Sequence, residues 1–141
     1  MKVTWFIMVP SLVAFAAMAF AHPAKKTERK ATVTPEEKAA FDAAKPTFET
    51  HCFRCHTTSG KKAKRKTLDH LSMDSYPFGG HHADDVASSI RRTLGIGSNK
   101  KKPTMPKDES GTVVGDDLER IAAWADAFDR ARAEMPSGKR R

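Results

Sequence analysis

The chain has 141 residues, with 25 Lys plus Arg against 17 Asp plus Glu, and a formal charge of +8 with its 6 His neutral. Charged residues at 30% and hydrophobic ones at 39% exclude both a bundle of membrane helices and a wholly disordered chain, leaving one small domain with a basic surface. Cys52 and Cys55 are the whole cysteine complement, which excludes a multiply bridged disulfide scaffold, and no internal period marks a solenoid.

Lys2 is followed by an uncharged run from Trp5 to Ala21 that closes on Ala19-Phe20-Ala21, a secretory signal pattern with a small-x-small cleavage site. A retained anchor is the alternative, but the run is short for a span of roughly 20 apolar residues and Pro10 interrupts it. Residues 1–21 are therefore read as a signal peptide, with export to the periplasm and no integral membrane span after cleavage. Removing them deletes one Lys and no acid, so the basic character belongs to the folded part. Residues 22–33 are polar and aperiodic and read as a flexible leader. The domain is placed over 34–133, with a basic tail over 134–141.

Thr34-Pro35-Glu36-Glu37 is a capping box with Pro in the first turn, predicting a helix to about Lys45 whose apolar side is Ala40, Phe41 and Ala44. Pro46 is expected to open a second short helical stretch through Phe48 toward His51. Cys52-Phe53-Arg54-Cys55-His56 follows, the C-x-x-C-H haem attachment pattern. Its two thiols are spaced to meet the two vinyl groups of one porphyrin as thioethers. The adjacent imidazole of His56 can bind the iron as proximal ligand through a neutral ring nitrogen.

Two other readings compete for this turn. A redox-active dithiol calls for buried strands around the motif, and the sequence offers no β-rich runs. A zinc site from His51, Cys52, Cys55 and His56 places its thiols in one short turn, whereas closed structural sites usually draw ligand pairs from two separated segments. One covalent haem c is thus the expected cofactor, with Phe48 and Phe53 packed near the ring.

Lys61, Lys62, Lys64, Arg65 and Lys66 form a first basic cluster. Gly79-Gly80 then precedes His81 and His82 at the start of a helix expected over Ala83 to Leu94, with Asp84 and Asp85 early, Arg91 and Arg92 late and Gly95 past its end. Val86, Ile90 and Leu94 mark its buried side. A second basic cluster, Lys100 to Lys102, precedes Pro103-Thr104-Met105-Pro106. The last helix is expected to begin with an N-terminal box near Asp116-Asp117-Leu118-Glu119. Its stripe of Leu118, Ile121, Ala125 and Phe128 should pack on the first helix. Trp124 reads more readily as core than as a border of the haem or a propionate.

An amphipathic helix running into C-x-x-C-H, the Met105-Pro106 pair and a terminal amphipathic helix with an aromatic make residues 35 to 132 resemble the class I c-type cytochromes, small monohaem electron carriers. The resemblance implies an all-α fold, a cytochrome c-like bundle of about four short helices wrapped around one covalently attached haem. It implies a one-electron carrier and not an enzyme, with a second axial ligand downstream of His56. Candidates are Met73, His81, His82 and Met105, with His70 set aside because it closely follows the basic run. Pro103 and Pro106 restrict the backbone around Met105, which looks like the distal-Met loop of the family, although a Met also fills core gaps. The expected haem contacts are therefore Cys52, Cys55, His56 and Met105, with His56 and Met105 on the iron. For His81 and His82, at a helix start, a structural or exposed role is the plainer one. Tyr76 is left between a contact to a propionate or the Met105 sulfur and a surface turn.

Basic clusters beside haem-bearing loops would steer a monomeric carrier onto acidic patches of redox protein partners in transient complexes. A nucleic-acid partner is not expected for an exported chain without a matching recognition motif. Two alternatives stay open: a haem sensor or gas-binding protein with a displaceable distal ligand, and an electron-relay subunit of a larger redox enzyme complex. A haem peroxidase would need an open iron and distal acid-base residues, which the sequence does not place.

Overall fold

Thr34 sets the first helix. Its Oγ1 accepts from the Glu37 N–H at 3.1 Å, and Pro35 takes the first helical position, where a missing N–H leaves no bond unmade. The computed structural model describes residues 32–97 and 102–134. The expected signal peptide over 1–21, nearly all of the expected leader, Lys100, Lys101 and the residues beyond Glu134 lie outside the described residues.

Helix α1 spans Pro35–His51 without interruption, so Pro46 lies inside it and does not open a separate stretch. An interior proline forfeits one helical hydrogen bond and crowds the preceding turn, at a cost of ~3 kcal/mol. Burial on both sides of it offsets that cost: Phe41 and Ala44 precede Pro46, Thr47 and Phe48 follow it, and all four are buried. A single turn, α2 (Phe53–His56), carries the cysteine-histidine motif. The basic run leads into a short helix, α3 (Arg65–His70), that no apolar periodicity announces. Ala83–Asp85 forms a 3-10 turn ahead of α4 (Val86–Leu94), and Gly95 closes α4 in the left-handed conformation at φ 72°. Helix α5 spans Gly115–Ala133. The described residues are thus all-α, with five α-helices where about four were expected and one isolated antiparallel bridge, Ser72 to Gly79.

Helix α5 packs on α1 as its stripe predicts, and α4 packs on α5. Ile121, Trp124, Ala125 and Phe128 are buried, and Leu118 is half-buried at the edge. Trp124 is core: it is fully buried, with its ring edge-on to Phe48 at a centroid distance of 5.1 Å. Phe78 meets Phe48 in the same edge-on manner at 5.3 Å, and Phe41 stacks on Tyr76 at 3.9 Å. Such aromatic pairs contribute about 0.5–1.5 kcal/mol each beyond their area. The expected N-terminal box of α5 does not form. Val114 caps the helix without a side-chain bond, and Asp117 reaches across to α1 instead, accepting from Thr47 Oγ1 at 2.7 Å.

Glu37 departs from the capping box in the same way. Its carboxylate is fully buried, accepts from the Tyr76 hydroxyl and lies 3.1 Å from Arg132 Nη1. Tyr76 in turn accepts from Trp124 Nε1 at 3.1 Å. Tyr76 is therefore neither a surface-turn residue nor a partner of Met105: its hydroxyl joins Glu37 of α1 to Trp124 of α5. Burial, followed by the bond to Glu37, raises its pKa above the usual phenol range and keeps it a donor. Tyr76→Phe leaves the Glu37 carboxylate and the Trp124 N–H each short of a partner, so its unfolding free energy by urea titration is expected to fall by roughly 1–3 kcal/mol. Among the described residues, no helix is long and apolar enough to cross a membrane.

Candidate functional site

Cys52, Cys55 and His56 sit at the junction of α1 and α2, all half-buried, and both thiols are unpaired. The chain holds them in one turn because the Cys55 and His56 N–H groups both bond the Cys52 carbonyl at 3.0 Å. Burial, then the neighbouring Cys55, pushes the Cys52 thiol up to about 12, against a smaller lowering by Arg54. At neutral pH this sulfur is a protonated thiol.

Segment 71–74 runs along the turn and fixes its imidazole. His56 Nδ1 lies 3.0 Å from the Leu71 carbonyl oxygen, which can only accept, so Nδ1 is the donor and Nε2 is the ring nitrogen left outside this bond. Met73 N–H bonds the His56 carbonyl at 2.7 Å. Asp74 accepts from Thr58 N–H at 2.7 Å, Thr58 Oγ1 at 2.9 Å and Ser72 Oγ at 2.7 Å. The Ser72 bond and then the two Thr58 bonds hold its carboxyl below the ordinary range. A lowered folded pKa means that Asp74 stabilises fully above the unfolded value of about 3.9 and loses that contribution as pH falls through the folded value. Asp74→Asn is therefore expected to be less stable than wild type in denaturant titrations at pH 7, with the two curves converging in strong acid.

Met105 is half-buried on the loop between α4 and α5 and packs at the edge of the core. Its N–H and that of Thr104 bond the Thr93 carbonyl at 3.2 and 2.8 Å, pinning the loop to the end of α4. The following residues tie this loop to the cysteine turn. Arg54, between the two cysteines, bonds Asp108 at 2.7 Å and Glu109 at 3.2 Å, and Lys62 pairs with the same Asp108. The Lys62 bond, against the opposing effect of burial, and then a backbone hydrogen bond and Arg54's charge lower the Asp108 pKa. Sequence reading missed these tethers, and counted Lys62 among charges available for docking.

An open groove of about 470 Å³ lies beside the Met105 loop, lined chiefly by Ile96, Pro103, Leu118 and Ala122. None of Cys52, Cys55 or His56 lines it. Met73, a weighed alternative ligand, is buried in the core at 3% exposure. His51 directs Nε2 to Asp117 at 3.4 Å. Among the described residues the one convergent group of three or more His, Cys, Asp or Glu side chains is His70, His81 and His82, so the quartet of a cysteine-turn zinc site is not assembled. Sequence reading kept His70 apart from the other two. Desolvation, then the neighbouring His81 and His82, lowers the His70 pKa. No known protein family, curated protein or solved structure matches this chain.

Proposed function

We propose that the chain is an exported one-electron carrier of the class I c-type cytochrome kind, with one haem c bonded through Cys52 and Cys55. The observation that carries this reading is the hydrogen bond from His56 Nδ1–H to the Leu71 carbonyl at 3.0 Å. It fixes the tautomer and leaves Nε2 as the ligand atom, the arrangement that metal-binding histidines adopt with a carbonyl or carboxylate behind them. The donor set fits the group: two unpaired thiols one helical turn apart, with an oriented imidazole directly after the second. Bound there, the iron would take up and release single electrons.

The polypeptide's own work is positional. Leu71, Met73 and Asp74 hold the His56 turn, and the Thr93 carbonyl with the Arg54 to Asp108 and Glu109 pairs holds the loop of Met105, the distal ligand in this proposal. Lys62 is engaged by Asp108, so docking onto an acidic redox partner falls to Lys61, Lys64, Arg65, Lys66 and the Lys100 to Lys102 run. Haem-dependent peroxidase staining after denaturing electrophoresis, with an optical spectrum of the native protein, tests the reading. A stained band at the protein's own mass and a low-spin spectrum support it, and a colourless protein from a host competent in cytochrome c maturation rejects it.

A further inference from the structure

Three imidazoles outside the cysteine turn converge. His70 ends α3, while His81 and His82 lie just before the 3-10 turn. Their ring centroids are 4.3 Å apart for His70 and His81, 4.7 Å for His81 and His82 and 5.5 Å for His70 and His82. One nitrogen from each lies within 4.8 Å of the other two.

The backbone builds this convergence. Ser72 and Gly79 exchange hydrogen bonds of 3.0 and 2.8 Å, after which His81 N–H bonds the Asp69 carbonyl and His82 N–H bonds the His70 carbonyl, both at 3.1 Å. Gly80 makes the approach possible: its φ is +90°, and a Cβ there would stand 2.7 Å from the His70 carbonyl oxygen. The two segments are thus clasped with their histidines on one spot before any ligand arrives.

We propose that His70, His81 and His82 form a binding site for one divalent late transition-metal ion of the Zn2+ type, with a fourth position open to water. Imidazole nitrogen suits zinc, copper and nickel, and three histidines plus water is an open tetrahedral site. Zinc–nitrogen bonds of about 2.0–2.1 Å require ligand nitrogens roughly 3.3 Å apart in a tetrahedron. The present spread of up to 4.8 Å has to close by more than an ångström, and His70 and His81 are exposed and His82 half-buried, so their rings have solvent to turn into. Asp85 supplies the outer partner. Its Oδ1 lies 3.2 Å from His82 Nδ1, so the carboxylate accepts that N–H and leaves His82 Nε2 for the ion. None of these residues belongs to the cysteine turn, and the site stands whether or not haem is attached. An ion here would staple the end of α3 to the entry of α4.

Zn2+ added to the full, chelator-treated protein in a calorimetric titration is expected to bind one ion per chain. His81→Ala and His82→Ala, whose backbone clasp remains, are expected to lose saturable uptake with an unchanged far-ultraviolet circular dichroism spectrum. Asp85→Asn weakens binding by roughly 10-fold while keeping the stoichiometry, and His51→Gln binds as wild type. X-ray absorption of the one-to-one complex is expected to show nitrogen and oxygen neighbours at about 2.0 Å and no sulfur. Sulfur at about 2.3 Å would place the ion on Cys52 and Cys55 and overturn the assignment. Full one-to-one uptake by folded His81→Ala, or its loss in His51→Gln, would overturn it equally.

Discussion

Cys52→Ala/Cys55→Ala is expected to lose all covalently held haem, so that the peroxidase-stained band at the protein's mass disappears while each single variant keeps a weakened one. The two sulfurs sit at either end of one helical turn that hydrogen bonds to the Cys52 carbonyl have already shaped. Neither thiol makes the bonds of that turn, which are backbone bonds, and Phe53 within the turn packs against the core beside Cys52. The variant should therefore fold its helices and fail in attachment alone, which far-ultraviolet circular dichroism beside the stain will separate. The same pair of thiols distinguishes attachment from dithiol redox chemistry. A catalytic dithiol needs a lowered thiol pKa, whereas burial and Cys55 push Cys52 up to about 12. In haem-free protein, alkylation of Cys52 by iodoacetamide at pH 7 is accordingly expected to be far slower than that of a free thiol of ordinary pKa near 8.5. Rapid alkylation at Cys52 would return the dithiol reading to consideration.

Some of this architecture is written in periodic residues. Val86, Ile90 and Leu94 are buried along α4, and Ile121, Ala125 and Phe128 along α5, because one face of a helix meets the core whatever the partner's details. Gly95 likewise ends α4 for a reason local to its own backbone, the left-handed conformation. Pro46 was harder to read. A local rule ends a helix there, but burial of Phe41, Ala44, Thr47 and Phe48 on both flanks carries α1 through it. Helix α3 contains Leu68 as its one aliphatic side chain and so leaves no stripe to detect. The two capping boxes show how distant partners override local ones. Thr34 caps α1 as expected, yet the Glu37 carboxylate turns to Tyr76 and Arg132, and Asp117 bonds Thr47 of α1 as well as Arg120 of its own helix.

The site divides along the same line. Cys52, Cys55 and His56 are contiguous and legible as a motif. The carbonyl behind His56 comes from Leu71, and every residue owns a carbonyl, so nothing in the side chain marks it. Arg54 meets Asp108 and Glu109 across a separation that no spacing rule reports. His70 joins His81 and His82 only through the backbone pairing that Gly80 permits. The Gly79-Gly80 pair ahead of two histidines was the available signal, because glycine in that position allows two backbones to approach closely.

Met105→Ala is expected to convert a low-spin, carbon monoxide-resistant reduced protein into one that binds carbon monoxide readily, with loss of the weak far-red sulfur-to-iron band in the oxidised spectrum. The reduction potential should fall with it, since a thioether sulfur favours ferrous iron and axial ligation moves haem potentials over roughly 0.8 V. Met105 is suited to the substitution: it is half-buried at the margin of the core, and its loop is held by backbone bonds to Thr93 and by the Arg54 pairs, none of which uses the thioether. Met73→Ala supplies the contrast. Met73 is buried at 3% exposure, so its truncation should cost about 2–5 kcal/mol of stability in denaturant titration and leave the spectrum intact. His81→Ala and His82→Ala should likewise leave it intact, since their imidazoles face His70. The opposite pattern, an unaltered spectrum in Met105→Ala and a changed one in a histidine variant, would assign the distal position to an imidazole and replace the His/Met carrier with a bis-histidine haem. Wild-type protein that already binds carbon monoxide would instead have a displaceable or open position. The sensing alternative would then account for the geometry around His56 equally well, because Leu71 holds that imidazole in either case.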